Sequence, residues 1–186
     1  MNENLFENKE QPAIRVEIAK PEDWPALKEI RLVAINSEDA EMFGPRGRER
    51  DQIKTDEDWK QEVSIENKNT FYVLGWNGNK VMGMVRATHF PDEPAVWRVT
   101  SLYSRADSRG KIVPKKVFGV LKNEILRRGG TRIIIHVNPK NTDTERLYKL
   151  FGFAETTSFS KKIKSDIFKL ATWKEMTLDL TKDGLK

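Results

Sequence analysis

Cysteine is absent from these 186 residues, and histidine occurs only twice, as His89 and His136. The first absence excludes a disulfide scaffold, a thiolate nucleophile and any cysteine-ligated zinc or iron–sulfur centre. The second leaves too few imidazoles for a histidine-rich site, so no metal is expected. Long apolar runs are missing too: none approaches the ~18 residues of a membrane span. The opening MNENLFENKEQP has neither the apolar core nor the cleavage pattern of a secretory signal. These absences predict a cytoplasmic protein without a membrane partner. Hydrophobic residues make up 38% and charged residues 33%, too apolar a mixture for a disordered chain. The length fits one domain. Polar residues 1–12 read as a flexible N-terminal segment, and 13–182 as the domain.

The charge that is present is unevenly spread. Lysine and arginine total 33 against 28 acidic residues, a net charge of +5. Residues 101–130 hold eight basic side chains against Asp107 and Glu124, so this one window contains the whole excess. Such a concentration marks either a solvated surface or an anion site.

Periodicity orders the elements. AIRVEIAK (13–20) alternates as a strand does. Trp24, Leu27, Ile30, Arg31 and Ala34 recur at helical spacing behind Pro21 and Pro25. Residues 37–54 are loop or broken helix. Thr55-Asp56-Glu57-Asp58 resembles a capping box and opens a helix through Trp59, Val63 and Ile65. TFYVLGW (70–76) and NKVMGMVRATHF (79–90) flank Asn77-Gly78, a strong hairpin signal. PDEP (91–94) breaks the chain before AVWRVTSLY (95–103), another strand. Val117, Leu121 and Ile125, flanked by Phe118 and Leu126, form a helix stripe that Gly129-Gly130 end. TRIIIHV (131–137) reads as a strand covered on both faces. A short helix spans Thr142–Leu150, with Leu147 and Leu150 toward the core and Gly152 as its left-handed terminator. FAETTSF (153–159) and ATWKEMTLDL (171–180) read as a closing antiparallel pair. The result is a mixed α/β (α+β) sheet of seven strands with four helices and one right-handed crossover.

Within that crossover, strand 95–103 runs through a basic loop into a helix starting at Val113. A helix start presents unpaired N–H groups and a positive dipole end. Arg109, Lys111, Lys115 and Lys116 surround it, a setting that suits a phosphate or pyrophosphate.

LYSRADSRGKIVPKK (102–116) resembles the cofactor loop of the GNAT superfamily of acyl-CoA-dependent N-acyltransferases, usually written L-Y-V-x-P-x-x-R-G-x-G-x-G. HVNPKNTDTERLYKLFGF (136–153) resembles its second signature, V-x-x-x-N-x-x-A-x-x-L-Y-x-x-x-G-F. There Val137, Asn141, Leu147, Tyr148, Gly152 and Phe153 fall in register. RLVAINSEDAEMFG (31–44) is similar to the family's first helix and loop. The resemblance spans about residues 14–180 and implies the single-domain N-acyltransferase fold, with a central parallel pair splayed apart.

It also implies a chemistry: acetyl transfer from acetyl-CoA, the co-substrate, to a primary amine of an unidentified small molecule or protein. Main-chain groups of Leu102, Tyr103 and Ser104 would bind the pantetheine and polarise the thioester carbonyl. Arg109, Gly110, Lys111, Ile112, Val113 and Lys115 would hold the pyrophosphate. Asn141 would contact the cofactor, cap its helix, or do both. Tyr148 would protonate the leaving thiolate. With no cysteine, the amine attacks directly in a ternary complex. His89, Asp92, Glu93 and water stand as alternative proton acceptors, while His136 reads as a core residue. Met42, Phe43, Trp59 and Trp76 either line an acceptor pocket or pack. Segments 37–54, 89–94 and 160–170 would shape the acceptor side.

Two departures define the alternatives. Ile112 and Pro114 stand where the family loop has glycines; one adds bulk and the other removes an N–H donor. A non-catalytic binding protein with a degenerate loop is therefore the rival reading. A nucleic-acid-binding module, raised by the pI of about 9.3, lacks the aromatic-interleaved basic strand of single-strand binders. The sequence leaves a homodimer open.

Overall fold

The computed structural model describes residues 14–42, 45–108, 113–156 and 173–181. Its strands are β1 (Arg15–Ile18), β2 (Thr70–Asn77), β3 (Lys80–Phe90), β4 (Glu93–Ser104), β5 (Arg132–Val137), β6 (Ala154–Glu155) and β7 (Lys174–Asp179). They form one sheet in the order β1-β2-β3-β4-β5-β7-β6. Only β4 and β5 run parallel; the other neighbours are antiparallel. The helices are α1 (Trp24–Ile35), α2 (Pro45–Gln52), α3 (Asp56–Glu62), α4 (Val113–Arg127) and α5 (Thr142–Leu150). No helix among the described residues is long and apolar enough to cross a membrane.

Alternation along the strands builds a core on each face. Phe71, Val73, Val85, Ala87, Ile133 and Ile135 meet the α4 stripe of Val117, Leu121 and Ile125 on one side. Tyr72, Leu74 and Met84 meet Leu27, Ile30 and Ala34 of α1 and Trp59 of α3 on the other. Burying each such aliphatic side chain contributes about 1.5–3 kcal/mol. All three isoleucines of β5, Ile133, Ile134 and Ile135, are buried, as a strand covered on both faces requires. Two glycines seat the start of α4. A Cβ on Gly83 would lie 2.8 Å from Val113 Cγ1, and one on Gly75 would lie 3.0 Å from Val117 Cγ2. Only hydrogen at these positions lets the first turn of α4 touch the sheet.

Among the described residues five helices stand where sequence periodicity gives four. The extra one, α2, has no apolar stripe to reveal it. It is held by charge instead: Arg31 Nε donates to Asp51 Oδ2 at 2.7 Å, and Lys54 Nζ lies 3.1 Å from Asp51 Oδ1. Burial alone would raise the Asp51 carboxyl, but Arg31 foremost, with Lys54 and Arg50, holds it below its ordinary value. Helix α3 is also shorter than its pattern. It stops at Glu62, and Ile65 lies beyond it, 84% exposed.

Other boundaries shift for local reasons. Asn77 pairs with Lys80, so the β2–β3 turn centres on Gly78-Asn79, one residue later than the Asn-Gly signal. Gly78 alone carries the positive φ there, +59°. The break at 91–94 narrows to Pro91-Asp92, with Pro94 inside the start of β4, ahead of the stretch that β5 pairs. Leu126 is partly exposed on the edge of the α4 stripe.

Removing the hub of the ionic cluster tests this account of α2. Asp51→Ala strands buried cations and is expected to cost about 3–5 kcal/mol in urea unfolding. A loss below ~1 kcal/mol would mean that α2 is held by something else.

Candidate active site

Strands β4 and β5 pair over only three positions, Val96↔Arg132, Trp97↔Ile133 and Arg98↔Ile134. Past Arg98, β4 stays with β3 as far as Ser104, and β5 stays with β7 as far as Val137. The two central strands therefore part, with facing edges that no ladder joins. Backbone N–H and C=O groups along such edges need partners. An extended ligand carrying amides can supply them as an added strand does.

A bulge bends β4 where the parting begins. Arg86 faces Thr100 and Met84 faces Tyr103, so Val85 alone stands opposite Ser101 and Leu102. Ser101 sits at φ +57°, in the left-handed region. A bulge of this kind increases strand twist and re-aims side chains. Here it swaps faces: Trp97 and Val99 lie in the α4 core, and Tyr103 in the α1 core. Leu102 packs against the α4 core. Sequence reading names Leu102, Tyr103 and Ser104 but misses Ser101. The available signal is the polar pair Thr100-Ser101 followed by the apolar pair Leu102-Tyr103, which breaks strict alternation.

The mouth of this opening is framed by α4 and α5. Val113 is buried against β2 and β3, and Lys115 is exposed on the first turn of α4. Arg109, Gly110, Lys111 and Ile112 lie outside the described residues, as do Phe43 and segment 160–170. On the other side, Asn141 caps α5 by accepting a hydrogen bond from the Thr144 backbone N–H at 3.1 Å. The capping reading of Asn141 therefore holds. Gly152 follows α5 at φ +91°, as its sequence position implies.

Tyr148 is the side chain that α5 buries. Leu150, expected to face the core, is 84% exposed, and Leu147 is half-buried. Helical geometry explains the exchange, since residues 148 and 150 point to nearly opposite sides. The Tyr148 ring packs edge-on against Phe153, with centroids 5.2 Å apart, and against Phe151 at 6.5 Å. Burial raises the pKa of its phenol. The hydroxyl therefore stays protonated at neutral pH, the form a proton donor needs.

The alternative proton acceptors fall elsewhere. His89 pairs with Trp97 in the β3–β4 ladder, and Asp92 and Glu93 lie at the hairpin tip beyond it. From Trp97 to the bulge, β4 runs four residues, or about 13 Å at a strand's rise. The geometry thus holds His89 one residue short of the last β4–β5 pair and brings none of these three to the bulge. It brings His136 to the parting instead, two residues past the last β4–β5 pair. His136 Nε2 lies 3.4 Å from Glu175 Oε2 on the neighbouring strand. Burial, and then Arg98, push the imidazole down to about 4. Burial raises the Glu175 carboxyl above its ordinary value. Sequence reading places His136 in the core and overlooks Glu175, because its partner is 39 positions away in sequence.

Of the acceptor-side aromatics, Trp59 and Trp76 are packed in the α1–α3 core. Met42 ends a short 3-10 turn, Glu38–Met42, and is half-buried. The segment 37–54 nevertheless contributes Arg50, Ile53 and Lys54 to a cavity of about 440 Å³, which Glu62 and Arg86 also line.

Comparison with known proteins agrees with this geometry. Residues 32–153 match the model of the acetyltransferase (GNAT) family, and the chain belongs to that family. The PaiA N-acetyltransferase of Thermoplasma acidophilum, solved with coenzyme A, has a TM-score of 0.70 at 14% identity, over 90% of this chain and 99% of that one. YncA of Salmonella typhimurium, a putative acetyltransferase solved with acetyl-CoA, gives 0.66 at 16% over 90% and 94%. An N-acetyltransferase of Staphylococcus aureus Mu50 gives 0.65 at 19% over 90% and 99%. No curated protein matches the chain.

Two measurements test the site. Ser101→Gly is expected to keep the bulge and equal or exceed wild-type stability, whereas Ser101→Val should lose ~1–2 kcal/mol in urea unfolding. Equal stability of the two would remove the strain argument. The second concerns pH. An unfolded imidazole titrates near ~6.5, and folded His136 near about 4. The unfolded state takes the proton that the folded state refuses, so stability falls as pH drops through this window. Glu175 works in the opposite sense, its proton being held more tightly when folded. His136→Gln should flatten the acid loss of denaturation midpoint; an unchanged slope would contradict the assignment.

Proposed function

We propose that this protein transfers an acetyl group from acetyl-CoA to an amine by direct attack in a ternary complex. The observation that carries the reading is the parting of β4 from β5 at the Ser101 bulge. Family membership supports it, and so do the coenzyme A and acetyl-CoA in two proteins of similar fold.

In this reading the pantetheine lies between the parted edges and bonds to the main chain of Leu102, Tyr103 and Ser104. Arg109, Gly110, Lys111, Ile112, Val113 and Lys115 meet the pyrophosphate at the start of α4, where N–H groups and the dipole favour an anion. Asn141 lies at the opposite rim. A backbone N–H of the bulge polarises the thioester carbonyl and stabilises the oxyanion that forms on attack. The amine nitrogen bonds to the carbonyl carbon, and the carbon–sulfur bond then breaks. Tyr148 gives its proton to the departing thiolate. The proton lost by the amine passes to Glu175, whose raised basicity suits it, with the neutral His136 ring 3.4 Å away. Solvent then returns Tyr148 and Glu175 to their starting states.

Calorimetric titration with acetyl-CoA tests the reading directly. Micromolar binding is expected. Its absence would favour the binding-protein alternative, with Ile112 and Pro114 closing the slot. Where thiol release with a primary amine is measured, Tyr148→Phe should lower kcat about 10²-fold and leave acetyl-CoA affinity unchanged. Equal loss of both would make Tyr148 a packing residue only.

A further inference from the structure

The ladder between β3 and β4 ends at Gly83↔Ser104, yet β3 reaches back to Lys80. Val81 and Met82 are buried there with no β4 residue opposite them. Arg105 takes that place. Its backbone N–H donates to the Met82 carbonyl at 2.9 Å, and its Nε donates to the Val81 carbonyl at 2.7 Å. Its Nη2 reaches Glu29 of α1. One residue thus closes this end of the sheet with main chain and side chain together, and it pairs carbonyls that are costly to leave unmet.

The same residue begins the turn that follows. The Arg105 carbonyl accepts from the Ser108 backbone N–H at 2.9 Å and from Ser108 Oγ at 2.8 Å. That hydroxyl, on a residue only 2% exposed, also lies 3.3 Å from the Met82 carbonyl. Ala106 stands where the family motif has proline, so no pyrrolidine ring fixes the backbone here. The hydrogen bonds of Arg105 and Ser108 fix it instead. Gly83, the next residue of β3, seats Val113 at the start of α4. Three consecutive β3 residues, Val81, Met82 and Gly83, therefore hold the chain both where it leaves β4 and where it begins α4.

We infer that Arg105 is a positioning residue for the anionic end of the cofactor. It acts through the chain it holds. With the exit of β4 fixed against β3, the N-terminal end of α4 meets a pyrophosphate without first having to be ordered, and binding loses less entropy. The inference rests on the acetyltransferase reading and deepens it. Glu29 is 59% exposed, so its ion pair with Arg105 is the weaker arm of the clamp. The bonds to the buried residues Val81 and Met82 are the stronger one.

Two acetyl donors separate positioning from packing: acetyl-CoA, which carries the pyrophosphate, and S-acetylpantetheine, which ends before it. Arg105→Ala should raise the calorimetric Kd and the KM for acetyl-CoA about tenfold and keep kcat within about twofold. Its kcat/KM for S-acetylpantetheine should stay at the wild-type value. Arg105→Lys keeps the charge but not the Nε donor aimed at Val81, so it should recover little of the lost affinity. Full recovery with lysine would mean that Arg105 attracts the pyrophosphate by charge alone, and would overturn the inference. An equal loss with both donors, or an unchanged Kd for acetyl-CoA in Arg105→Ala, would overturn it too. Ser108→Ala removes only a hydroxyl and should fold normally, with Kd for acetyl-CoA raised about threefold. Should Arg105→Ala fail to fold, an unchanged Kd in Ser108→Ala would overturn the inference in its place. Failure of the wild type to bind acetyl-CoA would overturn the acetyltransferase reading and the inference with it, whereas wild-type binding that the variants match would overturn the inference alone.

Discussion

The short parallel pairing of β4 with β5 governs the rest of the molecule. Each strand is held firmly on its outer edge, β4 by β3 and β5 by β7. Their inner edges share only Val96 to Arg98 and Arg132 to Ile134. A strand pair in a sheet ordinarily continues, because every unpaired backbone group costs free energy. Here continuation is blocked by the bulge, which turns β4 away with Ser101 in the left-handed region. The strain of that conformation is small beside the core on either face. It persists because Trp97 and Val99 on one side and Tyr103 on the other fix β4 both before and after the turn.

The helices then fall into place around the opening. Gly75 and Gly83 let α4 begin in contact with the sheet, so its N-terminal end stands at the mouth. Had either glycine a side chain, Val113 would lift and carry the helix start with it. Gly130 plays the corresponding part at the far end, where an added Cβ would lie 2.4 Å from Ile125 Cγ2. Helix α5 is anchored by Tyr148, Phe151 and Phe153 against Phe118 of α4, with Phe118 and Phe151 stacked at 4.5 Å. One aromatic cluster thus fixes both helices that frame the mouth.

What the sequence reveals follows from what periodicity can encode. The strands, the α4 stripe and the β5 isoleucine run are all legible because an apolar repeat reports burial directly. The parallel pair and the family motifs are legible for a related reason: loop and helix residues there lie close together in the chain. Helix α2 is legible only as one option for 37–54, loop or broken helix, since its anchor is Asp51 paired with Arg31 from another helix, and charge pairing has no period. Ile65 misleads because its spacing continues the α3 pattern past the point where the helix has ended. The bulge leaves only a break in alternation at Thr100-Ser101. Glu175 and His136 meet across β7 and β5, and Arg86 meets Glu62 across β3 and α3. Such long-range electrostatic groupings are the part of a site that composition and spacing do not register.

The two faces of the sheet therefore bring different chemistry to one point. On the α4–α5 face, Tyr148 lies in an apolar aromatic cluster that favours its neutral, proton-bearing form. On the α1–α3 face, arginines, Glu62 and the His136–Glu175 pair make a charged, polar wall. A reaction that moves one proton from nitrogen to sulfur needs a donor and an acceptor kept apart, so that neither neutralises the other. A sheet opened between its two central strands provides that separation. In the proposed reaction Tyr148 gives its proton from one side of the gap and Glu175 takes one on the other, with the bulge between them.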